Sequence, residues 1–493
     1  MQWSGPGPGS HESAVMSGRT GSTVAEVTVG ETVDGASRTG WRAAIGAQWS
    51  RAVADADFRE VLFAAAGAFI FKIGGAACSF LLGLIIARRY GAQGSGVFAL
   101  ANTLVTIAVT FSLFGLDYAS VRAVSSSLAT RQWSDLRSWV KTANVLTIGA
   151  ALVTTIIMWM EAERIAHWLS GSDDLIISIR AFSCAVLPMT LVKMFSSYFR
   201  GMRYSLASNI VDPFIIPVCA LILVVGWSGA TIGTVMELYV AGAVFCALGT
   251  LVAWSRVSRK IEDAPRRWLT RDALTRSIPI YLTVIGGYAT GWITTLVVGG
   301  SGTEAEVGVY RVAMQYVMVL GLLPQAVELA MSPQVAALHA TDRLHEIALT
   351  GRRMIGLTLL LGGIPAVLLF VFAEYALAVF GPEFVSGAFT LRLLVAGQMI
   401  IFLFGPAGSV MVMTGLERLS LLTAAIGSVV AIISSMILIP PYGINGAVIA
   451  GLITGLLKLV ITTWIVWHHH GLFLPLGIAR KPADKAEQSS GRE

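Results

Sequence analysis

Long apolar runs alternate with short polar segments from residue 62 to residue 467 of the 493-residue chain. Each run has roughly the 20 mostly apolar residues that an α-helix needs to cross the hydrocarbon core of a bilayer. The pattern predicts twelve membrane-spanning helices, at residues 62–87, 97–119, 143–160, 175–198, 207–227, 231–254, 277–299, 307–330, 354–373, 387–411, 419–439 and 446–467. We therefore expect an all-α, polytopic membrane protein.

The composition agrees with a membrane protein and argues against a nucleic-acid partner. Hydrophobic residues make up 55% of the chain and charged residues only 13%, whereas soluble proteins carry about 25% charged residues. The formal net charge is +6, but no soluble segment interleaves basic and aromatic residues as nucleic-acid platforms do. A basic excess is also typical of the cytoplasmic loops of membrane proteins.

Basic residues are divided unevenly between the two sides of the predicted membrane. With the N-terminus inside, the inner loops carry seventeen basic residues, and the outer loops carry only Arg88, Arg89 and Arg164. The positive-inside rule therefore predicts that both termini are cytoplasmic. The expected location is a bacterial-type cytoplasmic (inner) membrane, crossed many times.

The chain repeats short motifs at a nearly constant offset. Gly96-Val97-Phe98 recurs as Gly308-Val309-Tyr310, 212 residues later, and Gly229-Ala230 recurs as Gly446-Ala447. We interpret the chain as two six-helix bundles, at residues 61–255 and 277–467, joined by a basic cytoplasmic linker at 256–276. An even number of helices makes the repeat parallel, and carriers with this symmetry bind substrate between their halves and alternate access.

Two cytoplasmic tails are predicted to flank the bundles. Residues 1–60 begin with a Gly-, Ser- and Thr-rich stretch that cannot build a core. Within residues 41–60, Trp41, Ile45 and Trp49 recur at near-helical spacing, which fits either an interfacial helix or a tail that continues to Glu60. Residues 468–493 form the second predicted tail.

Six basic and three acidic side chains lie within the predicted spans or at their ends. Charges in a membrane are costly and mark functional sites by default. The excess of cations predicts a cavity that attracts phosphate or carboxylate groups, although long basic side chains near span ends can also reach the interface. The candidate cavity cations are Lys72, Arg311, Lys458, Arg180 and Arg392, and Arg88 and Arg89 are candidates for an outer gate.

Acidic residues are fewer and support two interpretations. Asp212 and Glu237 lie on consecutive predicted spans, where they could couple transport to H⁺ or Na⁺ or form ion pairs with basic residues. No cofactor and no metal site are expected, because the four cysteines lie within apolar spans without ligand spacing. No catalytic set is apparent, and the outer loops are too short for a catalytic domain.

Three segments carry a family resemblance: ARRYGAQGSGVFALANTLVTIAVTFSLFGLDYASVR, YFRGMRYSLAS and IPPYGINGAVIAGLI. With their order along residues 60–470, they resemble the Wzx-type O-antigen and polysaccharide flippases of the multidrug/oligosaccharidyl-lipid/polysaccharide (MOP) exporter superfamily. The resemblance implies two helix bundles around a central cavity. It further implies a transporter, not an enzyme, that moves a polyprenyl-pyrophosphate-linked oligosaccharide to the outer leaflet for lipopolysaccharide or other surface polysaccharide synthesis.

The expected partners are the lipid-linked oligosaccharide and the bilayer, together with a polysaccharide polymerase and glycosyltransferases. Three alternatives remain from the residues alone. A cation-coupled multidrug exporter of the same fold would favour an acidic cavity. A membrane-embedded glycan polymerase or ligase, from another functional class, is disfavoured by the short outer loops, and a non-transporting scaffold is the remaining alternative.

Overall fold

A computed structural model of the chain describes residues 56–226, 231–259, 268, 270–341 and 343–479. Several predicted segments lie partly outside these ranges: the N-terminal tail with its interfacial helix up to residue 55, part of the linker at 260–267, and the tail beyond residue 479. The described residues from 63 onwards pack as one unit.

The first half of the described chain consists of helices joined by short turns. A π-turn at Val211–Ile215 separates the two helices that surround Asp212-Pro213. The helices are α1 (Ala56–Leu113), α2 (Leu116–Ala129), α3 (Trp133–Met160), α4 (Ala162–Leu169), α5 (Asp173–Ser183), α6 (Val186–Gly201), α7 (Ser205–Ile210), α8 (Ile216–Gly226) and α9 (Ile232–Ser258).

The second half repeats the helical architecture and ends in a small hairpin. A π-turn at Leu359–Gly363 follows α12, and a 3₁₀ turn at Pro382–Gly387 precedes α15. The helices are α10 (Thr270–Ser301), α11 (Glu304–Ala340), α12 (Leu344–Thr358), α13 (Ile364–Val371), α14 (Ala373–Ala378), α15 (Ala388–Phe404), α16 (Pro406–Met413) and α17 (Glu417–His470), followed by strands β1 (Leu472–Phe473) and β2 (Ile478–Ala479).

Within the described residues, seven helices are long and apolar enough to cross a membrane, or nine if each of two bent pairs forms one span. Two of the seven are long enough for two crossings and contain a break, at Gly91 (φ 68°) and at Gly443 (φ 55°). Backbone at these angles is readily adopted only by glycine. The predicted loops at 88–96 and 440–445 are therefore sharp breaks within helices, and the predicted count of twelve remains a prediction.

The outward surface of the helices is apolar, as a bilayer requires. On α3, Ile156, Ile157, Trp159 and Met160 are all more than half exposed. An exposed apolar surface of this kind is unfavourable in water but is stable against lipid tails. The predicted class, an all-α polytopic membrane protein, is confirmed.

The chain after the last long helix is packed as far as residue 479, within the first part of the predicted tail at 468–493. Strands β1 and β2 pair antiparallel, with Leu472 opposite Ala479. Leu472 and Leu474 are buried, and Leu474 lies against α12 where Gly351 has no side chain. Burial of these two leucines offsets the entropy of ordering the short hairpin.

Candidate functional site

Helices α1 and α11 are joined by a hydrogen bond between two side chains that lie away from the ends of both helices. Lys72 on α1 donates from Nζ to Oε1 of Gln325 on α11, at 2.6 Å. The bond links residues 253 positions apart, so Lys72 lies where the two sequence repeats meet. The side-chain amide of Gln325 is therefore the hydrogen-bond partner of the Lys72 ammonium group.

Arg311 lies on the same helix as Gln325 but has an aromatic partner. Its guanidinium carbon is 4.7 Å from the ring centroid of Phe98 on α1. Within the described ranges, no carboxylate forms an ion pair with Arg311. An arginine held over an aromatic face is attracted by the ring quadrupole yet keeps its charge uncompensated.

Gln315 continues this face of α11 towards α1. A Cβ atom at Gly83 would lie 2.2 Å from its Nε2, so the missing side chain of Gly83 makes room for the amide. Oε1 of Gln315 is buried without a hydrogen-bond partner in the described structure. Buried polar atoms are normally paired, which makes this oxygen a candidate acceptor for a ligand.

Gln315 and Gln325 lie about 40° to either side of Arg311 around the helix axis, at 100° per residue. We call these three residues and Lys72 the polar stripe. Its ends, Arg311 and Gln325, are about 21 Å apart along α11 at 1.5 Å per residue. The stripe therefore extends through much of the thickness of a bilayer core, which is about 30 Å.

Two further candidate cations, Arg180 and Arg392, are neutralised by carboxylates. Arg180 is 2.7 Å from Glu163, and Arg392 is 3.0 Å from Glu374. The two pairs occupy equivalent places in the repeat. Because each arginine already has an anionic partner, neither offers an uncompensated charge to a ligand.

Lys458 contacts Gly427 on its own helix, which is not part of the polar stripe. Its aliphatic stem lies on Gly427, where a Cβ atom would be 1.9 Å from Cε of the lysine. Both residues belong to α17, on opposite sides of the break at Gly443. The structure therefore places Lys458 against the second half and does not pair it with a carboxylate in the described chain.

Arg88 and Arg89 reach in opposite directions from the turn of the first hairpin. Arg88 donates from Nε to the carbonyl oxygen of Val379 in the second half, at 2.8 Å, and Arg89 donates from Nη1 to that of Val224 in the first half, at 2.9 Å. Both acceptors lie at helix C-terminal ends, where carbonyls lack helical partners and the dipole favours cations. The doubly basic turn thus contacts both halves.

The two acidic candidates differ in their surroundings. Asp212 lies in the π-turn and its Oδ1 is 3.8 Å from Nζ of Lys193. Glu237 lies on α9 and is exposed. The geometry at Asp212 matches the ion-pairing interpretation, and the described residues contain no group of three or more His, Cys, Asp or Glu that could hold a metal ion.

The halves also touch at the end opposite to the hairpin turn. The rings of Phe111 and Phe114 lie 6.0 Å and 5.6 Å from the ring of Tyr281 on α10. Gly115 approaches the backbone of the same residue, because a Cβ there would be 2.9 Å from its nitrogen. We call this end the linker rim, and the end that carries the turn Arg88–Gly91 and the start of α11 the hairpin rim.

Many membrane transporters are all-α polytopic proteins built from two repeats, with the substrate site where the repeats meet. The family described as polysaccharide biosynthesis protein matches residues 67–335, more than half of the chain, and the MatE family matches residues 279–437. The chain belongs to the polysaccharide biosynthesis protein family.

Curated relatives match most of the chain. It is 25% identical to "Probable low-salt glycan biosynthesis flippase Agl15" of Haloferax volcanii, over 78% of each chain. It is 22% identical to "Stage V sporulation protein B" of Bacillus subtilis, over 77% of this chain and 78% of the relative. The name of the first of these relatives describes a flippase, which agrees with the predicted transporter.

Solved structures of the MOP superfamily share the fold. An inward-facing multidrug resistance MATE family transporter has a TM-score of 0.67 at 13% identity, covering 80% of this chain and 96% of that chain. Lipid II flippase MurJ in an inward closed conformation has a TM-score of 0.60 at 12% identity, covering 82% and 87%. The predicted family resemblance and the MOP-type fold are confirmed.

Proposed function

We propose that this protein is a flippase that moves a polyprenyl-pyrophosphate-linked oligosaccharide across the cytoplasmic membrane for surface polysaccharide synthesis. Transport proceeds by alternating access between the two six-helix halves. The observation that carries the proposal is Arg311, a cation at the contact of α11 with α1 that has no carboxylate partner among the described residues. The names of the Haloferax relative and of MurJ agree with this class of substrate.

Arg311 suits the pyrophosphate because of its shape and its unused charge. A planar guanidinium offers paired N–H donors that match two phosphate oxygens. An uncompensated cation in a membrane is costly, and an arriving phosphate would neutralise it. Contact with Phe98 holds the side chain in place before the ligand arrives.

The polar stripe is the proposed path of the headgroup. Lys72 and Gln325 form the inner station and Arg311 the outer station, with Gln315 between them. Amide groups both donate and accept hydrogen bonds, as sugar hydroxyls do. The headgroup then moves about 21 Å between two cations, while the polyprenyl chain stays in lipid.

We further propose that the hairpin rim faces outwards and that both termini are cytoplasmic, from the charge asymmetry of the loops. Twelve crossings follow if α1 and α17 each cross twice and the five other long helices and the two bent pairs each cross once. The bent segment Ser205–Gly226 is then the twelfth crossing. Arg88 would then belong to the outer gate. Glycosyltransferases and a polysaccharide polymerase are proposed partners, because such enzymes make and consume a lipid-linked glycan.

Transport in liposomes tests the proposed function. The purified protein should move a pyrophosphate-linked oligosaccharide between leaflets, and Arg311→Gln should lower the rate at least tenfold, whereas Arg311→Lys retains part of it. Arg392→Gln is the matched control and should stay within about twofold, because an exposed ion pair contributes about 0.2–1 kcal/mol. Wild-type rates for Arg311→Gln would remove the guanidinium from the mechanism.

A cation-coupled multidrug exporter is the second candidate, favoured by the MatE match. The same liposomes distinguish the two. Gradient-driven uptake of a cationic dye that depends on Asp212, without glycan movement, would favour the exporter.

A further inference from the structure

The repeated glycines of the two halves meet at the hairpin rim. A Cβ atom on Gly96 would lie 1.7 Å from the carbonyl oxygen of Glu304, and one on Gly308 would lie 2.0 Å from that of Ala92. Glu304 stands four residues before Gly308, and Ala92 stands four residues before Gly96. Each glycine therefore meets the same backbone position of the other repeat.

Such a reciprocal contact is the intramolecular form of a two-fold interface, in which one surface meets its own copy. Only glycine permits backbones to come this close, because any side chain would overlap a carbonyl oxygen. Small residues at helix crossings in membranes serve close packing in the same way. The contact therefore brings the backbones of α1 and α11 together with no side chain between them at the two glycines.

The side chain of Glu304 adds a second contact between the halves at the same place. It is 5% exposed. Ser170 donates to its Oε1 at 2.7 Å, Ser172 donates to the same oxygen, and Gln93 donates from Nε2 to Oε2 at 3.3 Å. All three donors come from the first half, whereas Glu304 is the first residue of α11 in the second.

Glu304 is well positioned to hold this place. Thr303 caps the helix in a capping box with Glu306, which fixes where α11 begins. A carboxylate in the first helical turn is also stabilised by the helix dipole. Its backbone carbonyl meets Gly96 on α1 while its side chain meets the two serines between α4 and α5, so one residue contacts two segments of the first half.

We propose that Glu304 and the Gly96–Gly308 contact form the latch that closes the hairpin rim between the halves and releases it once per transport cycle. The proposal rests on alternating access in the proposed function. The separating glycines expose no side chains of their own, and water replaces the three donors of the carboxylate, so the net change per hydrogen bond is small.

Distance measurements between spin labels test the latch. The labels are placed on Arg164→Cys and Tyr375→Cys, with the four native cysteines replaced by Ala. These two rim positions are equivalent in the repeat, belong to different halves and are 83% and 75% exposed. In proteoliposomes, Gly308→Leu and Gly96→Leu should each reduce the short-distance population at least tenfold in favour of a longer one.

Matched controls separate the latch from general damage. Gly149→Leu should leave the distances unchanged, because nothing lies within 4 Å of a Cβ at Gly149. Glu304→Gln and the double variant Ser170→Ala/Ser172→Ala add no volume, and each should shift the population towards the longer distance about threefold or more. If the leucine variants fail to fold, Glu304→Gln and Ser170→Ala/Ser172→Ala still test the latch.

The latch proposal is wrong if folded Gly308→Leu shows the same label-to-label distances as the wild type. It is also wrong if both Glu304→Gln and Ser170→Ala/Ser172→Ala show wild-type distances. Glycan transport is measured separately on the same samples. Intact latch behaviour without glycan transport would contradict the proposed substrate and leave the latch standing. Glycan transport at the wild-type rate in Gly308→Leu with a permanently longer distance would show that closure of this rim is not needed.

Discussion

Lys72 shows at the residue scale how much a single charge reveals. Its position in an apolar helix marked it as functional from the sequence alone, because a cation there costs roughly 2.5–3.5 kcal/mol on insertion scales. The hydrogen bond to Gln325 shows which helix it faces. Gln325 lies 253 residues away, and no local pattern connects the two.

Substitution of Lys72 tests its proposed role at the inner station. Lys72→Ala should abolish glycan transport while membrane insertion stays intact, because the headgroup loses its first cation. Lys72→Arg keeps the charge and should retain a large part of the rate. Transport assays with quantified membrane protein check both, and unchanged transport in Lys72→Ala would exclude the lysine from the path.

The site was only partly predictable from its residues. Charged candidates were visible, yet the structure divides them: Lys72 and Arg311 lie on the polar stripe, whereas Arg180 and Arg392 are ion-paired. These ion pairs form because the short helices α4 and α14, which carry Glu163 and Glu374, pack beside α5 and α15, which carry the arginines. Gln315 and Gln325 were missed because they are uncharged, although their spacing from Arg311 on one helix face was a usable signal.

Element boundaries show a different limit. Apolar periodicity predicted long spanning helices, but it did not show how sharply the chain turns at Gly91 and Gly443, where the structure has a break at one residue in place of a longer loop. A polar, glycine-rich stretch looks the same in sequence whether it forms a loop or a break within a helix. Neighbouring helices decide between the two.

The glycine breaks make a prediction about stability. Gly91→Ala and Gly443→Ala should each lower the free energy of unfolding by about 1–3 kcal/mol, because alanine is strained at these positive φ angles. The two losses should be similar, because the end of the flexible Glu383 side chain, 2.6 Å from a Cβ at Gly91, can move aside, and Gly443 has open space. Thermal unfolding in detergent measures both changes.

Gly149→Ala is the control for this experiment. Gly149 lies inside α3 with open space around it, and alanine in a helix is favoured by about 0.5–1 kcal/mol over glycine. Its melting temperature should rise or stay constant. A Gly443→Ala variant as stable as the wild type would show that the break relaxes into a continuous helix.

The whole molecule has a predicted orientation that its fold alone does not reveal. The two ends of α11 provide a matched pair, since Thr303 caps its start and Thr341 its end. A reporter fused after Thr303 should read as external, and one fused after Thr341 should read as cytoplasmic. If the reporters after Thr303 and after Thr341 lie on the same side of the membrane, the twelve-span topology is wrong.

The sequence by itself determined the class of this protein. Runs of about 20 apolar residues leave no structure except spanning helices, and the uneven distribution of arginines and lysines predicts their direction. The offset of 212 residues between the repeats indicated two related halves. These are properties of local composition and period, which need no tertiary contact.

Only the tertiary structure decided which residues meet across the halves. Tight packing of Gly96 on Gly308, the three donors around Glu304 and the contact of Arg311 with Phe98 all join residues more than 100 positions apart. Such contacts depend on how whole helices cross, at a precision of one residue. Helical periodicity identifies the face of a helix but not the face it meets.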